Sequence, residues 1–307
     1  MKNFKRVFIL GAGFSKSFSP GMPVISDLSD VLFNDDNNTD YAELRSFASR
    51  YYEASNHLQD TRDIENVATV ILNKKIFKND IERHRFQILR YQLLKLVHHQ
   101  TKNHRLEPGC RDQLTRFVSF CRNSSSLLIT FNYDLLVEAC SDVSYGIVNK
   151  YQSQIHPTGT GTDYIKLHGS LNWFRAKGAQ RTDINSVYRV DELDEHFSIH
   201  RFDIPVFIPM AHAKETFLDG TLFSTLWAQA IYHLEQASEI VLIGYSFPLT
   251  DIENLYFILN FIRKISRIVI YFENAADSRL ERLKGIFGRE RVINMDAKKF
   301  LYRSYLS

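Results

Sequence analysis

Four short apolar runs, Val7 to Leu10, 126–131 (SLLITF), 239–244 (EIVLIG) and 267–272 (RIVIYF), constrain this chain more than any other feature. Each is rich in β-branched or aromatic residues and too short for a helix, and each is apolar at consecutive rather than alternate positions. That is the pattern of a parallel strand buried on both faces. The segments between them carry helical spacing. Phe223, Leu226, Trp227, Ala230, Ile231 and Leu234 recur at three and four residues, and Ile252, Leu255, Tyr256 and Leu259 do so behind a capping box of Thr250 and Glu253. Strand and helix in alternation predict an α/β fold, a parallel sheet flanked by helices.

The pattern changes over about 40–118. Ile64, Val67, Ala68 and Ile71, then Phe86, Leu89, Leu93 and Leu96, mark amphipathic helices with no strand-like run between them, which reads as a helical insertion. The stretch 175–222 is polar and irregular, and Pro205 and Pro209 are expected to break any regular element there, making a second, smaller excursion. A chain of 307 residues exceeds the usual domain of about 100–200 residues, as one large domain with an insertion, or two closely packed ones, would.

Composition narrows the function classes. With 44% hydrophobic and 24% charged residues the chain is neither disordered nor fibrous. The 38 basic residues exceed the 35 acidic ones by only three, which gives no ground for direct nucleic-acid binding. Cys110, Cys121 and Cys140 are widely spaced and contain no C-x-x-C pair, which argues against both a disulfide framework and a zinc site. The apolar run after the basic N-terminal residues is too short for a signal-peptide core, and no run approaches membrane-spanning length, so a cytoplasmic protein is expected.

Five motifs fall at predicted strand ends. G-A-G-F-S at 11–15 follows the first strand; its glycines would let backbone N–H groups approach a diphosphate at a helix N-terminus, with Ser15 adding a hydroxyl. A dinucleotide fingerprint would need glycine where Lys16 stands, which disfavours ordinary hydride-transfer chemistry, and a ligand-free strand-to-helix turn is the alternative. T-F-N-Y-D at 130–134 places Asn132 beyond the carboxyl end of a strand, where α/β sheets bind ligands, although strands commonly end in polar residues. K-L-H-G-S at 166–170 sets His168 before a glycine, with an imidazole suited to proton transfer near neutrality; His98 and His99, on a predicted helix, read as inert. In I-G-Y-S-F at 243–247, Gly244 and Ser246 could form a second cradle for phosphate or ribose, and Asn274 in Y-F-E-N-A-A-D could meet a ribose.

Taken together and in this order, G-A-G-F-S followed by G-M-P, T-F-N-Y-D, L-H-G-S and G-Y-S resemble the sirtuins, over residues 7–277. The spelling is most similar to the bacterial sirtuin-like branch that hydrolyses NAD in anti-phage defence. The resemblance implies a Rossmann-like parallel sheet flanked by helices, with a helical insertion, in one NAD-binding domain over 1–307. It also implies an NAD glycohydrolase that yields ADP-ribose and nicotinamide and depletes NAD. Carried over by position, Gly11, Ala12, Gly13 and Ser15 would hold the diphosphate of NAD. Asn132 would be the catalytic amide and His168 the catalytic imidazole, with Asp134 a nicotinamide contact and Gly244, Ser246 and Asn274 further nucleotide contacts.

Two departures from the deacetylases of that family shape the reading. The paired C-x-x-C motifs of their zinc ribbon are missing, since no cysteine follows Cys140, and 175–222 stands in place of that module. The acid and arginine expected after G-x-P are missing too, because Met22 and Pro23 lead into Val24, Ile25 and Ser26. Both favour NAD as a substrate cleaved without a metal and without an acetyl-lysine acceptor. A non-catalytic NAD or ADP-ribose sensor and a zinc-free deacylase are the alternatives. Because an unrestrained NAD hydrolase would poison its own cell, a homo-oligomer is expected, or a complex with a partner defence protein such as a helicase/ATPase or an Argonaute-like protein. The apolar stripe of Ile64, Val67 and Ile71 is the expected assembly surface.

Overall fold

A computed structural model describes residues 4–23, 25–34, 39–53, 64–72, 80–102, 109–140, 143–145, 162–175, 183, 186–190, 203–208, 220–245, 247, 251–262, 268–271, 277–295 and 297–306. The chain divides into two compact units, one of Met1–Gly21, Arg105–Ser170 and Leu222–Ser307, the other of Met22–His104 and Leu171–Thr221.

The first unit is built on a parallel sheet. Its strands are β1 (Arg6–Leu10), β2 (Ser126–Thr130), β3 (Val143–Tyr145), β4 (Thr162–Lys166), β8 (Glu239–Ile243), β9 (Ile268–Tyr271) and β10 (Val292–Ile293), in the order β10-β9-β8-β1-β2-β4-β3. Every residue of β2 is buried, as its unbroken apolar run requires. The register sets the carboxyl ends of four strands side by side: Leu10 pairs with Thr130 on one flank and with Ile243 on the other, and Thr130 pairs with Lys166. The chain runs outward from β1 in both directions, so the sheet reverses its winding between β1 and β8, the position where open α/β sheets leave a crevice.

The helices of this unit are α1 (Ala12–Phe18), α6 (Cys110–Asn123), α7 (Thr221–Gln236), α8 (Ile252–Ile262), α9 (Asp277–Phe287) and α10 (Ala297–Leu301). α6 buries Leu114, Phe117, Val118 and Cys121, and the Phe117 ring meets the Phe8 ring edge-on at 5.1 Å. α7 buries most of its predicted face with two additions, and α8 turns a different face inward than its spacing predicts. In α7, Leu222 and His233 are buried with Phe223, Leu226, Ala230 and Leu234, while Ile231 is 38% exposed. In α8, Asn254, Ile258 and Phe261 are buried and Tyr256 is 64% exposed. Thr250 of the expected capping box lies outside the described residues.

The second unit holds α2 (Ile25–Asn34), α3 (Ala42–Glu53), α4 (Ile64–Leu72) and α5 (Asp80–Lys102), with a three-stranded sheet in the order β6 (Val187–Arg189), β5 (Gly169–Arg175), β7 (Ile204–Phe207), of which β5 belongs to this unit from Leu171 onward. Its limits differ from the expected 40–118 and 175–222. The helical region starts at Met22 and ends at His104, because the apolar face of α6 covers the main sheet instead, and it joins the second excursion in one unit, where α5 packs on β7. Pro205 does not break that region. It sits within β7, an edge strand, the place in a sheet where proline is tolerated, and its carbonyl accepts from Arg90 at 3.2 Å. Pro209 and the side chain of Phe86 lie outside the described residues.

The stripe on α4 is covered by the unit itself. Ile64, Val67, Ala68 and Ile71 are each 0% exposed, packed with α2 and α5, and Ser29 Oγ of α2 accepts the N–H of Ile64 at 3.0 Å. That face supplies no assembly surface, contrary to expectation. No helix among the described residues is long and apolar enough to cross a membrane.

Candidate functional site

The aligned strand ends bring the sequence motifs of the first unit together. Beyond β1, the N–H of Gly11 donates to Ile243 O at 2.9 Å and that of Gly13 to Gly244 O at 2.8 Å, so the G-A-G turn is laid along the end of β8. A Cβ on Gly11 would fall 2.5 Å from Tyr245 Cα, and one on Gly244 would run into the backbone of Gly13 and Phe14. Gly244 also holds φ at +68°, a region that favours glycine. The glycines therefore let two motif loops touch backbone to backbone, and the amides of Gly11 and Gly13 are engaged inside the protein. Ala12, which opens α1, is the exposed residue of the turn.

Beyond β2, Thr130 Oγ1 donates to Leu10 O at 2.9 Å and accepts the N–H of Asn132 at 3.0 Å, which locks the strand exit to β1. Asn132 Nδ2 donates to Ser15 Oγ at 3.0 Å, and Ser15 Oγ donates to Asp134 Oδ2 at 2.7 Å. Ser15 and Asp134 are buried and Asn132 is half-buried. The other oxygen of Asp134 accepts the N–H of Leu136 at 3.0 Å, so both oxygens of the expected nicotinamide contact are hydrogen-bonded within the chain.

Beyond β4, the N–H of Leu167 donates to Thr130 O at 2.9 Å, and the next residue is His168, only 5% exposed. Gly169 follows at φ +77°, the left-handed turn that the H-G pair requires. The His168 ring meets Phe131 at 5.2 Å with planes 63° apart, and Phe131 stacks on Tyr245 at 4.8 Å and 16°. The exits of β2, β4 and β8 are thus joined by three rings. Tyr245 Oη donates to Asp251 Oδ2 at 2.8 Å and accepts from Asn254 Nδ2 at 3.0 Å, and Asn254 Nδ2 is also 3.5 Å from His168 Nε2. Burial pushes the Tyr245 phenol up beyond its ordinary range, against a smaller opposing effect of the Asn254 hydrogen bond.

Several participants escape a reading by motif. Lys166, fully buried at the end of β4, donates to Asp134 O at 2.5 Å and to Glu138 Oε1 at 2.8 Å, fastening the T-F-N-Y-D segment to the neighbouring strand. A lysine closing an apolar run is the signal that could have found it. Asn254 could have been found as the polar member of the 254, 258, 261 spacing on α8. Ser246 and Asn274 lie outside the described residues. His98 and His99 belong to the second unit, where His99 Nδ1 lies 2.8 Å from Tyr41 Oη.

The cysteines do not fit a zinc centre. Cys110 and Cys121 are both on α6, and burial pushes the Cys121 thiol well up, away from the thiolate a metal needs. Burial also raises the Cys140 thiol, with Arg111 pulling the other way. Among the described residues no three His, Cys, Asp or Glu side chains are grouped to hold a metal ion.

No protein-family model and no curated protein matches the sequence. Solved structures do match: a structure described as showing the mechanism and regulation of Sir2 enzymes superposes with TM-score 0.50 at 12% identity, over 98% of this chain and 90% of its own. The fold is the Sir2 fold. A complex of a Sir2 homologue with NAD gives TM-score 0.47 at 15% identity, over 97% of this chain and 86% of its own. On this Sir2 fold, Ser15, Asn132, Asp134 and His168 stand beyond the carboxyl ends of three neighbouring strands, with Gly244 beyond the fourth.

Proposed function

We propose that this Sir2-fold chain is an NAD glycohydrolase that releases nicotinamide and ADP-ribose, and that it serves anti-phage defence by depleting NAD. The observation that carries this reading is the relay Asn132–Ser15–Asp134, which couples two motifs separated in sequence, with His168 packed one ring away on Phe131. The sirtuin-like spelling of the motifs, set on a Sir2 fold, supports NAD as the ligand.

Nicotinamide leaves as a neutral molecule from a cationic ring, so its glycosidic bond breaks with the electron pair going to the ring nitrogen and needs no strong acid. Charge develops on an oxocarbenium-like ribose. Asn132, whose Nδ2 is engaged by Ser15, orients the ribose hydroxyls or the attacking water with its Oδ1. His168 takes the proton released as water bonds to the anomeric carbon, a general-base contribution of about 10²–10⁴-fold. Asp134 acts at one remove, holding Ser15 and through it Asn132. Gly11, Gly13 and Gly244 shape the crevice by close packing, and Ala12 is left to meet the diphosphate side of the nucleotide.

The sequence has no C-x-x-C pair and no cysteine after Cys140, and this departure from the sirtuin deacetylases favours hydrolysis over deacylation. Restraint of the activity falls to self-assembly or a partner defence protein through a surface other than the α4 stripe, which is covered. The test is NAD incubated with the purified chain and followed by chromatography. Equal release of nicotinamide and ADP-ribose is expected. Binding without turnover would make the chain a sensor, and release that requires an acetylated peptide would make it a deacylase.

A further inference from the structure

We infer that Asn254 is a positioning residue that sets the tautomer of His168, keeping the ring proton on Nδ1 and the Nε2 lone pair bare. The inference deepens the proposed hydrolase reading, because a bare Nε2 is what a general base requires. The argument starts two residues away from the imidazole. Tyr245 Oη lies 2.8 Å from Asp251 Oδ2, and a carboxylate accepts, so the phenol proton points to Asp251. Its oxygen is then left with lone pairs only, and 3.0 Å away it can receive a proton from Asn254 but not give one. Asn254 must therefore present its NH2 group, not its carbonyl, on that side. The same NH2 nitrogen lies 3.5 Å from His168 Nε2. An amide N–H facing a ring nitrogen is favourable only if that nitrogen carries no proton, and a neutral imidazole then carries it on Nδ1.

The surroundings keep this pattern from being scrambled by water. Asn254 is 2% exposed and Tyr245 5%, and Phe131 fixes the plane of the Tyr245 ring by stacking and contacts the His168 ring by its edge. Burial that holds the phenol protonated acts in the same direction. At 3.5 Å the contact to Nε2 is at the long limit of a hydrogen bond, so the amide favours an unprotonated Nε2 yet holds its lone pair too weakly to resist displacement by a water or ribose hydroxyl. The alternative tautomer would need the amide reversed, which sets the Asn254 carbonyl against the lone pairs of Tyr245 and loses their bond.

The experiment uses the full chain labelled with ¹⁵N-histidine, with long-range proton–nitrogen spectra recorded above the imidazole titration range and His168 assigned from a His168→Gln variant. The expected result is a dominant Nδ1–H form. Tyr245→Phe removes the acceptor that orients the amide and should bring the Nε2–H form to a comparable population. Asn254→Asp replaces the donor by an acceptor and should make Nε2–H dominant, with kcat for NAD cleavage falling by about 10–10²-fold and KM within about twofold. A dominant Nε2–H form in the unmodified protein, or a tautomer that moves in neither variant, overturns the inference. Should Asn254→Asp fail to fold, the unmodified protein and Tyr245→Phe decide. A chain that shows the expected tautomer shifts yet releases no nicotinamide would refute the proposed hydrolase and leave the role of Asn254 at His168 standing.

Discussion

Ser15 Oγ donates to Asp134 Oδ2 at 2.7 Å, joining the first motif to the second across 119 positions of sequence. The hydroxyl also receives Asn132 Nδ2, so one side chain sets both the buried carboxylate and the half-buried amide. Ser15→Ala leaves Asp134 Oδ2 without this donor in a buried site and should cost about 1–3 kcal/mol of stability, measured by urea unfolding. NAD cleavage should fall at least about tenfold as Asn132 loses its anchor. An alanine variant with unchanged turnover would remove the relay from the mechanism.

Asn132→Ala and His168→Ala should each lower NAD cleavage by at least about 10²-fold while the folded structure and NAD binding persist. Calorimetric binding beside nicotinamide release separates the two effects. Near-native turnover in either variant excludes that residue from the reaction.

Gly244→Ala should destabilise the protein far more than an ordinary surface change. Its φ of +68° disfavours a side chain, and the new methyl would strike the backbone of Gly13 and Phe14 rather than a movable side-chain end. Thermal unfolding should show a loss beyond about 3 kcal/mol, or no soluble protein. A Tm unchanged within error would mean the two loops do not touch as described.

His233 predicts a pH dependence of stability. The residue is fully buried, its ring packs edge-on to Phe4 at 4.9 Å, and neither ring nitrogen has a hydrogen-bond partner among the described residues. Burial depresses its imidazole below the ordinary value, with Asp163 opposing. As pH falls through about 6.5 the unfolded chain takes up this proton before the folded one does. Its stabilising contribution is therefore complete above that pH and is lost as pH drops toward the depressed folded value, with a slope of at most about 1.4 kcal/mol per pH unit. Unfolding midpoints at several pH values should show a shallower acid loss in His233→Phe than in the unmodified chain. Equal slopes would count against it.

Local sequence was enough for β1, β2, β8 and β9 of the main sheet and for the edge of the sheet at which the motifs lie. A run such as Ser126–Thr130 is apolar at successive positions, which only a strand covered on both faces can bury, and polar motifs after such runs land at the carboxyl ends by chain direction alone. The close approach of Gly11 and Gly13 to Gly244 was not legible there. A glycine in a turn has the same spelling whether a ligand or another loop lies against it, and only the pairing of β1 with β8 decides which.

The inward face of α8 was likewise settled by partners rather than by periodicity. On α8 the apolar count favours Tyr256 and Leu255, yet Asn254 turns inward because Tyr245 and His168 satisfy its amide there, while Tyr256 is left outside. Lys166 stays buried because Glu138 and the carbonyl of Asp134 meet its ammonium group. Pro205 lies in a strand because that strand is an edge. Hydrophobicity is a property of each residue and so can be read along the chain. Hydrogen bonding and charge pairing need a second group brought from elsewhere, and only the tertiary structure supplies it.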